Sequence, residues 1–252
     1  MATRLPILAF HHLGESRDPV SYPPTLFRRF MAFLNERGFQ TICLSRMLEL
    51  IHCPSSLSGK PVAITFDDGF RSVYESALPV LCEYGQTATV FLSTGLSRPV
   101  SGDVRLPSSC GREMLSWDEI DELVAAGFEL GAHTMTHPDL TSLDGEAVFR
   151  EARGSKDIIE DRAGVEVDFF AYPYGWFDRE VERIIAGIFK GACTVELALA
   201  GRGSDPWAME RVDAYYLRGE RLFRVIDSSM LPWYLAARNV PRQIARRIER
   251  RR

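Results

Sequence analysis

The stretch Thr65-Phe66-Asp67-Asp68-Gly69 places two carboxylates directly after an apolar run, Val62-Ala63-Ile64, that reads as a buried strand. Adjacent carboxylates repel, and burying either one requires a cation or a hydrogen-bond donor. Gly69 lets the backbone turn sharply beyond them. The same triplet is also ordinary turn chemistry, so its meaning depends on what accompanies it. Further along, His133-Thr134-Met135-Thr136-His137 sets two of the chain's 5 histidines four residues apart. On a helical turn this spacing brings both imidazoles to one face, within reach of a single ion. The alternative is a pair of surface or capped histidines.

Thr134 stands where thermolysin-like zinc sites carry a glutamate, so a general base must come from elsewhere in the chain. The Asp67–Asp68 pair can supply it. One aspartate joins His133 and His137 as a metal ligand, and the other stays unbound and takes a proton from the attacking water. Three protein ligands with an open position suit a catalytic zinc site, and a cation there stabilises the ionised form of its carboxylate ligand.

These groups need a scaffold. Leu5 to Phe10 reads as a first strand ending at His11-His12, and Pro24 opens an amphipathic helix closed by Gly38. A strand at Thr41–Leu44 precedes a helix that Ser45 is expected to cap, running through Ile51. After the Asp67 strand come a helix to about Tyr84, a strand at Ala88–Leu92 and a long Ser-, Gly- and Pro-rich loop over Thr94–Glu113. Ser116 with Glu119 forms a capping box. Phe128–Ala132, Phe169–Tyr172 and Ala192–Val195 read as strands, with helices over Asp144–Arg162 and from Asp178. Leu199–Trp207 reads as a loop. The chain from about Glu220 reads as helical, broken by Pro232 and Pro241. Alternating strands and helices, with strands that are continuous apolar runs, predict a parallel sheet covered by helices, compatible with a closed α/β barrel. His11, Asp67, Asp68, His133 and Tyr174 each follow a predicted strand, so parallel strands bring them to one rim. Among the nearby aromatic residues Trp117 is assigned to the core. Tyr174 and Trp176, and to a lesser degree Tyr172, are candidates to stack on a substrate at the rim.

The 252 residues fit one large domain as well as two, since α/β barrels commonly reach this length as one, and 46% hydrophobic residues is ordinary for a globular core. The 5 cysteines are scattered without a CxxC pair, which argues against a disulfide framework or a cysteine zinc knot. No stretch is long and apolar enough for a membrane span or a secretory leader, so a soluble, cytoplasmic protein is expected. The net charge of −4 hides an asymmetry: residues 238–252 hold seven arginines and one glutamate, leaving 23 basic and 33 acidic residues elsewhere. The division expected is a catalytic domain over residues 1–237 and a basic tail over 238–252. An acidic body argues against nucleic acid as a partner. The tail is expected either to touch a membrane surface or acidic partner or to be a solvated end.

Thr65–Gly69, His133–His137 and Phe170-Ala171-Tyr172-Pro173-Tyr174-Gly175, in this order, resemble the polysaccharide deacetylase family, the NodB-homology carbohydrate esterases. Ala88–Leu92 and Leu115–Asp118 are similar to it as well, and the likeness spans about Leu5 to Asp213. The resemblance implies a distorted (β/α) barrel and an enzyme that releases acetate from an N-acetylated saccharide. It implies Asp67 as general base and Asp68, His133 and His137 as ligands of a divalent metal, usually Zn2+. It further implies the backbone N–H of Tyr174 as oxyanion donor, with Pro173 shaping that turn and Trp176 beside the substrate. Two departures stand out. Ala171 occupies the place of an arginine that orients the catalytic aspartate; Arg211 is a candidate to replace it, and a surface arginine is the alternative. No histidine follows His137, where the family places a general acid. The Phe-His-His context resembles the poly-N-acetylglucosamine deacetylase subgroup, whose first strand supplies that residue, so His11 is expected in the role with His12 as alternative. An amide hydrolase of a small non-sugar substrate and a non-catalytic carbohydrate-binding protein are the rival readings.

Overall fold

The computed structural model describes residues 4–53, 59–95, 104–108 and 111–249. In chain order the strands are β1 (Arg4–Leu5), β2 (Ile7–Phe10), β3 (His12–Leu13), β4 (Ser21–Tyr22), β5 (Phe39–Ile42), β6 (Lys60–Phe66), β7 (Thr89–Leu92), β8 (Glu129–Ala132), β9 (Phe169–Ala171), β10 (Gly191–Leu197), β11 (Ala200–Gly201) and β12 (Met209–Asp213). The α-helices are α1 (Pro24–Glu36), α2 (Leu44–His52), α3 (Leu78–Glu83), α4 (Trp117–Ala125), α5 (Gly145–Ala163), α6 (Arg179–Ala186), α7 (Glu220–Ile226) and α8 (Leu231–Glu249).

Strands β2, β12, β10, β9, β8, β7 and β6 pair in parallel in that order, and β2 pairs back onto β6 to close a barrel. The expected distorted (β/α) barrel is therefore the fold. Its distortion has a visible source at β6. Ala63 pairs with Ile7 of β2 on one edge and Ile42 of β5 on the other, while Thr65 and Phe66 pair onward with Thr89 and Val90 of β7. Strands β5 and β7 thus share one edge of β6, one after the other, and the barrel opens where they part.

Side chains alternate in and out along each strand. The inward set (Ile7, Ala63, Phe91, Phe169, Ala171, Cys193 and Met209) forms one cluster with Leu44, Met47, Leu50 and Ile51 of α2, which plugs the end where the strands begin. The outward set, including Leu8, Val62, Ile64, Val90 and Leu130, packs beneath the surrounding helices. Gly131 makes room for the inward ring of Phe91: a Cβ there would lie 2.4 Å from the ring. A close-packed interior tolerates no such overlap.

Several local expectations are corrected. Helix α2 starts at Leu44 with Cys43 as its N-cap residue, and Ser45 lies inside it. The N–H groups of Leu44 and Ser45 donate to the Glu129 carboxylate on β8, at 2.8 and 3.2 Å, so a distant strand caps this helix. The chain between Trp207 and Glu220 holds a strand, β12, which has Glu, Arg and Asp in five residues and lacks an apolar signature. The Leu199–Trp207 segment also contributes β11, antiparallel to β1. Pro232 sits in the first turn of α8, where a missing N–H is harmless, and the helix continues through Pro241 to Glu249. The expected boundary at residues 237 and 238 falls within this helix. Parts of the Thr94–Glu113 loop, Cys110 and residues 250–252 lie outside the described residues; the four other cysteines form no disulfide. Among the described residues no helix is long and apolar enough to cross a membrane.

Candidate active site

The ends of β2, β6, β8, β9 and β12 carry the chemistry-bearing residues to one rim. At the end of β6, Asp67 is 2% exposed and its N–H donates to Phe10 O, which ties β6 to β2. The backbone then enters two left-handed residues, Asp68 at φ 74° and Gly69 at φ 82°. The first is strained for an aspartate, and it turns the second carboxylate away from the first. A Cβ at Gly69 would approach Leu106 to 2.8 Å.

Asp68 Oδ1 lies 3.4 Å from Nε2 of both His133 and His137. The ligand atoms of these three residues fall within 4.8 Å of one another. The expected helical turn is not what joins the histidines. His133 directly follows β8, and residues 133–137 form a loop in which Thr134 (φ 65°) and His137 (φ 57°) are left-handed. Side chains hold that loop. Thr134 Oγ1 accepts from the His137 N–H at 2.9 Å and donates to His133 O. Glu151 of α5 accepts from the N–H groups of Met135 and Thr136 and from the Thr136 hydroxyl. Glu151 is a supporting residue that sequence reasoning missed, because its helix gives no sign of which loop it faces.

The donor set fits a divalent cation. His133 Nδ1 is 2.7 Å from the carbonyl oxygen of Ala171. A carbonyl only accepts, so Nδ1 carries the proton and Nε2 offers its lone pair toward Asp68. Donors bound tetrahedrally at zinc-like distances stand roughly 3.3 to 3.4 Å apart, the spacing Asp68 keeps from both rings. The site also attracts positive charge. Burial pushes the Asp68 carboxyl up, yet both imidazoles hold it well below the usual carboxylate range. Burial works against protonation of His133, yet Asp68 and Asp67 raise it. A metal ion would take up that demand.

Asp67 has a different partner. Arg211, on the closing strand β12, points inward beside Met209 and Phe91, 1% exposed. Its Nη1 and Nη2 donate to Asp67 Oδ1 and Oδ2, both at 2.7 Å, and Nη1 also donates to Thr65 Oγ1. Nε donates to Thr194 O. Burial would push the Asp67 carboxyl up, but the charge and hydrogen bonds of Arg211 outweigh it and hold it below the ordinary range. The structure therefore brings Arg211 to Asp67 from 144 residues away and not to the surface.

His11 Nε2 lies 3.7 Å from Asp67 Oδ2, on the mouth side. His12 points the other way: its Nδ1 pairs with Ser21 Oγ at 3.1 Å and its ring meets Phe70 edge-on. Pro173 is buried, and Tyr174 follows it with φ 58° and is 51% exposed. That ring meets His137 edge-on at 4.7 Å and leans on Trp176 at 5.0 Å. Tyr172 is no rim residue. It is 1% exposed, stacks on Phe177 and donates its hydroxyl to Trp207 O. Trp117 is likewise in the core. Beside Asp68 and His137 a cavity of about 300 Å³ opens, lined by Ser93, Pro107, Met114 and Met135 among others.

With this geometry in place, the comparison with known proteins is decisive. The family model for polysaccharide deacetylase matches residues 55–187, more than half of the chain. The chain belongs to the polysaccharide deacetylase family. YxkH of Bacillus subtilis is 26% identical over 211 residues, 83% of this chain and 71% of YxkH. The poly-beta-1,6-N-acetyl-D-glucosamine N-deacetylase of Escherichia coli K12 is 28% identical over 135 residues, 50% of this chain but only 20% of that protein. The Streptococcus pyogenes deacetylase PplD, solved with acetate, superposes with a TM-score of 0.75 at 22% identity, covering 84% of this chain and 93% of PplD. The chain thus shares its barrel with PplD, and Asp67–Asp68, His133 with His137, and Pro173–Tyr174 of the three sequence motifs lie at the rim just described.

Proposed function

We propose that this protein is a metal-dependent hydrolase that removes N-acetyl groups from an N-acetylated sugar polymer. One observation carries the reading: the two adjacent aspartates are divided between two partners. Asp68 faces two imidazoles, and Asp67 faces Arg211. This division supports Asp68 as a ligand and Asp67 as an ionised base beside it.

Asp68, His133 and His137 would hold the divalent ion, with Zn2+ the best match to two imidazoles and a carboxylate. Bound there, the ion polarises the acetamide carbonyl and makes water more acidic. Asp67, fixed by both terminal nitrogens of Arg211, accepts a proton from water as the water oxygen bonds to the carbonyl carbon. The backbone N–H of Tyr174, aimed by the left-handed turn after Pro173, donates to the developing oxyanion. His11, in its protonated form, gives its proton to the amide nitrogen as the C–N bond breaks, since an amine leaves poorly without one. Acetate and a free amino sugar result. Trp176 and Tyr174 offer adjoining aromatic faces for a sugar ring. The E. coli relative, a poly-beta-1,6-N-acetyl-D-glucosamine N-deacetylase, supports such a polymer as substrate.

The test is acetate release from N-acetylglucosamine oligomers and from a panel of small acetamides. Metal-loaded protein should release acetate from the oligomers; chelator-treated protein and Asp67→Asn should not, while Asp67→Asn still binds Zn2+. Release from small acetamides alone would replace the substrate assignment. Oligomer binding without acetate from the metal-loaded chain would overturn the enzyme.

A further inference from the structure

Helix α8 has two apolar faces. Leu231 and Leu235 are buried against the barrel, with 4% and 1% of their surface exposed. On the far side Trp233 is 73% exposed and Val240 62%, and Met230, which leads into the helix, is 61% exposed. Steps of three and seven residues put these three on one stripe about 180° from the buried pair, and Ala237, also exposed, lies between them. In the sequence the same spacing continues to Ile244 and Ile248. An exposed tryptophan of this degree on the outer face of a packed helix lacks a folding rationale, because burying it is favourable and none of the described residues does so.

The charge around this stripe indicates its occupant. Residues 238–252 carry seven arginines against one glutamate, whereas the remaining chain has a net charge of −10. Arg238 and Arg242 lie along Tyr234 and Tyr216, with their guanidinium groups over those rings. Arg242 is turned to the barrel, where it pairs with Asp213, while Arg238 is exposed. A helix with an exposed aromatic and aliphatic stripe and an arginine-rich end is suited to lie in the headgroup layer of an anionic bilayer, its apolar side inserted and its cations against the lipid phosphates. We propose that α8 binds an anionic membrane surface in this way.

The fold sets the geometry of that contact. Leu231 lines a cavity with Leu5, Phe39 and Lys60, where the strands begin, and Arg242 Nη1 lies 3.2 Å from Oδ2 of Asp213, where β12 ends. Asn239 Nδ2 donates to Glu196 Oε1 near the end of β10. The helix therefore runs beside the barrel from its closed end to its active rim, and the eleven helical steps from Leu231 to Arg242 span roughly 16 Å, about the length of a five-residue strand. With α8 flat on the lipid, the barrel axis lies along the membrane plane and the site opens sideways over its surface.

The test uses the full chain and vesicles of phosphatidylcholine, with or without one-third phosphatidylglycerol, near physiological ionic strength. Binding to the anionic vesicles only is expected, with a blue shift in tryptophan emission that Trp233→Ser abolishes. The combined variant Arg246→Gln, Arg247→Gln, Arg250→Gln should weaken partitioning roughly 100-fold. Both variants should keep the thermal transition and acetate release of the parent, so the result is independent of the catalytic reading. Equal binding to both vesicles, or to neither, overturns the proposal. So does a concentration-dependent dimer that Trp233→Ser dissolves, which assigns the stripe to a second copy. Binding to soluble polyphosphate as tight as to vesicles, with no emission shift, also overturns it.

Discussion

Arg211 and Asp67 form a bidentate pair across the barrel, with both nitrogen–oxygen distances at 2.7 Å and both residues at most 2% exposed. The guanidinium comes from β12 and the carboxylate from β6, strands on either side of β2. An arginine expected from the third motif is thus supplied by the strand that closes the fold.

Removing one partner of such a pair leaves an uncompensated charge indoors. Arg211→Met should destabilise the protein by about 3 to 5 kcal/mol, measured by chemical denaturation. The sign with pH follows from the depressed Asp67 carboxyl. In the parent the pair's stabilisation is present above the carboxyl's unfolded value and lost as pH falls through its lower folded value. Without Arg211, burial is opposed only by the weaker pull of His11 and His133, and the carboxyl rises. The acid limb of the rate profile should therefore move to higher pH; an unmoved limb would sink the role given to Arg211.

The two adjacent histidines should separate cleanly. His11→Gln should lower turnover of N-acetylglucosamine oligomers by a factor on the order of 100 to 10,000 with little change in stability. His12→Gln should leave turnover close to the parent, because that ring faces Ser21 and Phe70. Equal losses in both variants would contradict this division.

Gly175 follows Tyr174 with φ 65°, and a Cβ there would lie 2.4 Å from a Val195 methyl and 2.8 Å from its backbone nitrogen. Gly175→Ala must displace the turn that holds the Tyr174 N–H. The expected result is a large fall in kcat with Zn2+ affinity retained, since the three ligand residues lie on other loops. Parallel loss of metal binding, read by equilibrium dialysis, would show that the turn supports the ion instead.

Cys193 lies inside the barrel, where burial pushes its thiol up to about 12 against the opposing pull of Arg211. Cys82 is exposed on α3. At pH 8 a thiol reagent should modify Cys82 and leave Cys193 intact until the protein unfolds. Mass mapping of the labelled peptides reads this, and rapid labelling of Cys193 would mean that the barrel interior opens.

Metal removal gives a further expectation. The ion binds only the folded site, so added Zn2+ should raise the thermal midpoint of chelator-treated protein in a concentration-dependent manner. Asp68→Asn should abolish that rise, and Asp67→Asn should not.

The sequence alone determined the repeating strand–helix order, because buried parallel strands are apolar throughout and their periodicity is local. It also singled out the candidate residues of the site: an aspartate pair and two histidines at short spacing are legible wherever they sit. It left β12 unread, since Met-Glu-Arg-Val-Asp turns a charged side chain inward and so lacks the apolar run by which a strand is recognised. It gave the histidines a helix where the chain uses two left-handed residues and Glu151 from α5, because that carboxylate's reach depends on helix packing. Only the tertiary structure decided that Arg211 meets Asp67, that His11 and not His12 faces the mouth, and that Tyr172 is buried. Each depends on which side of a strand faces the barrel axis once the sheet has closed, and closure joins residues whose separation along the chain carries no local signal.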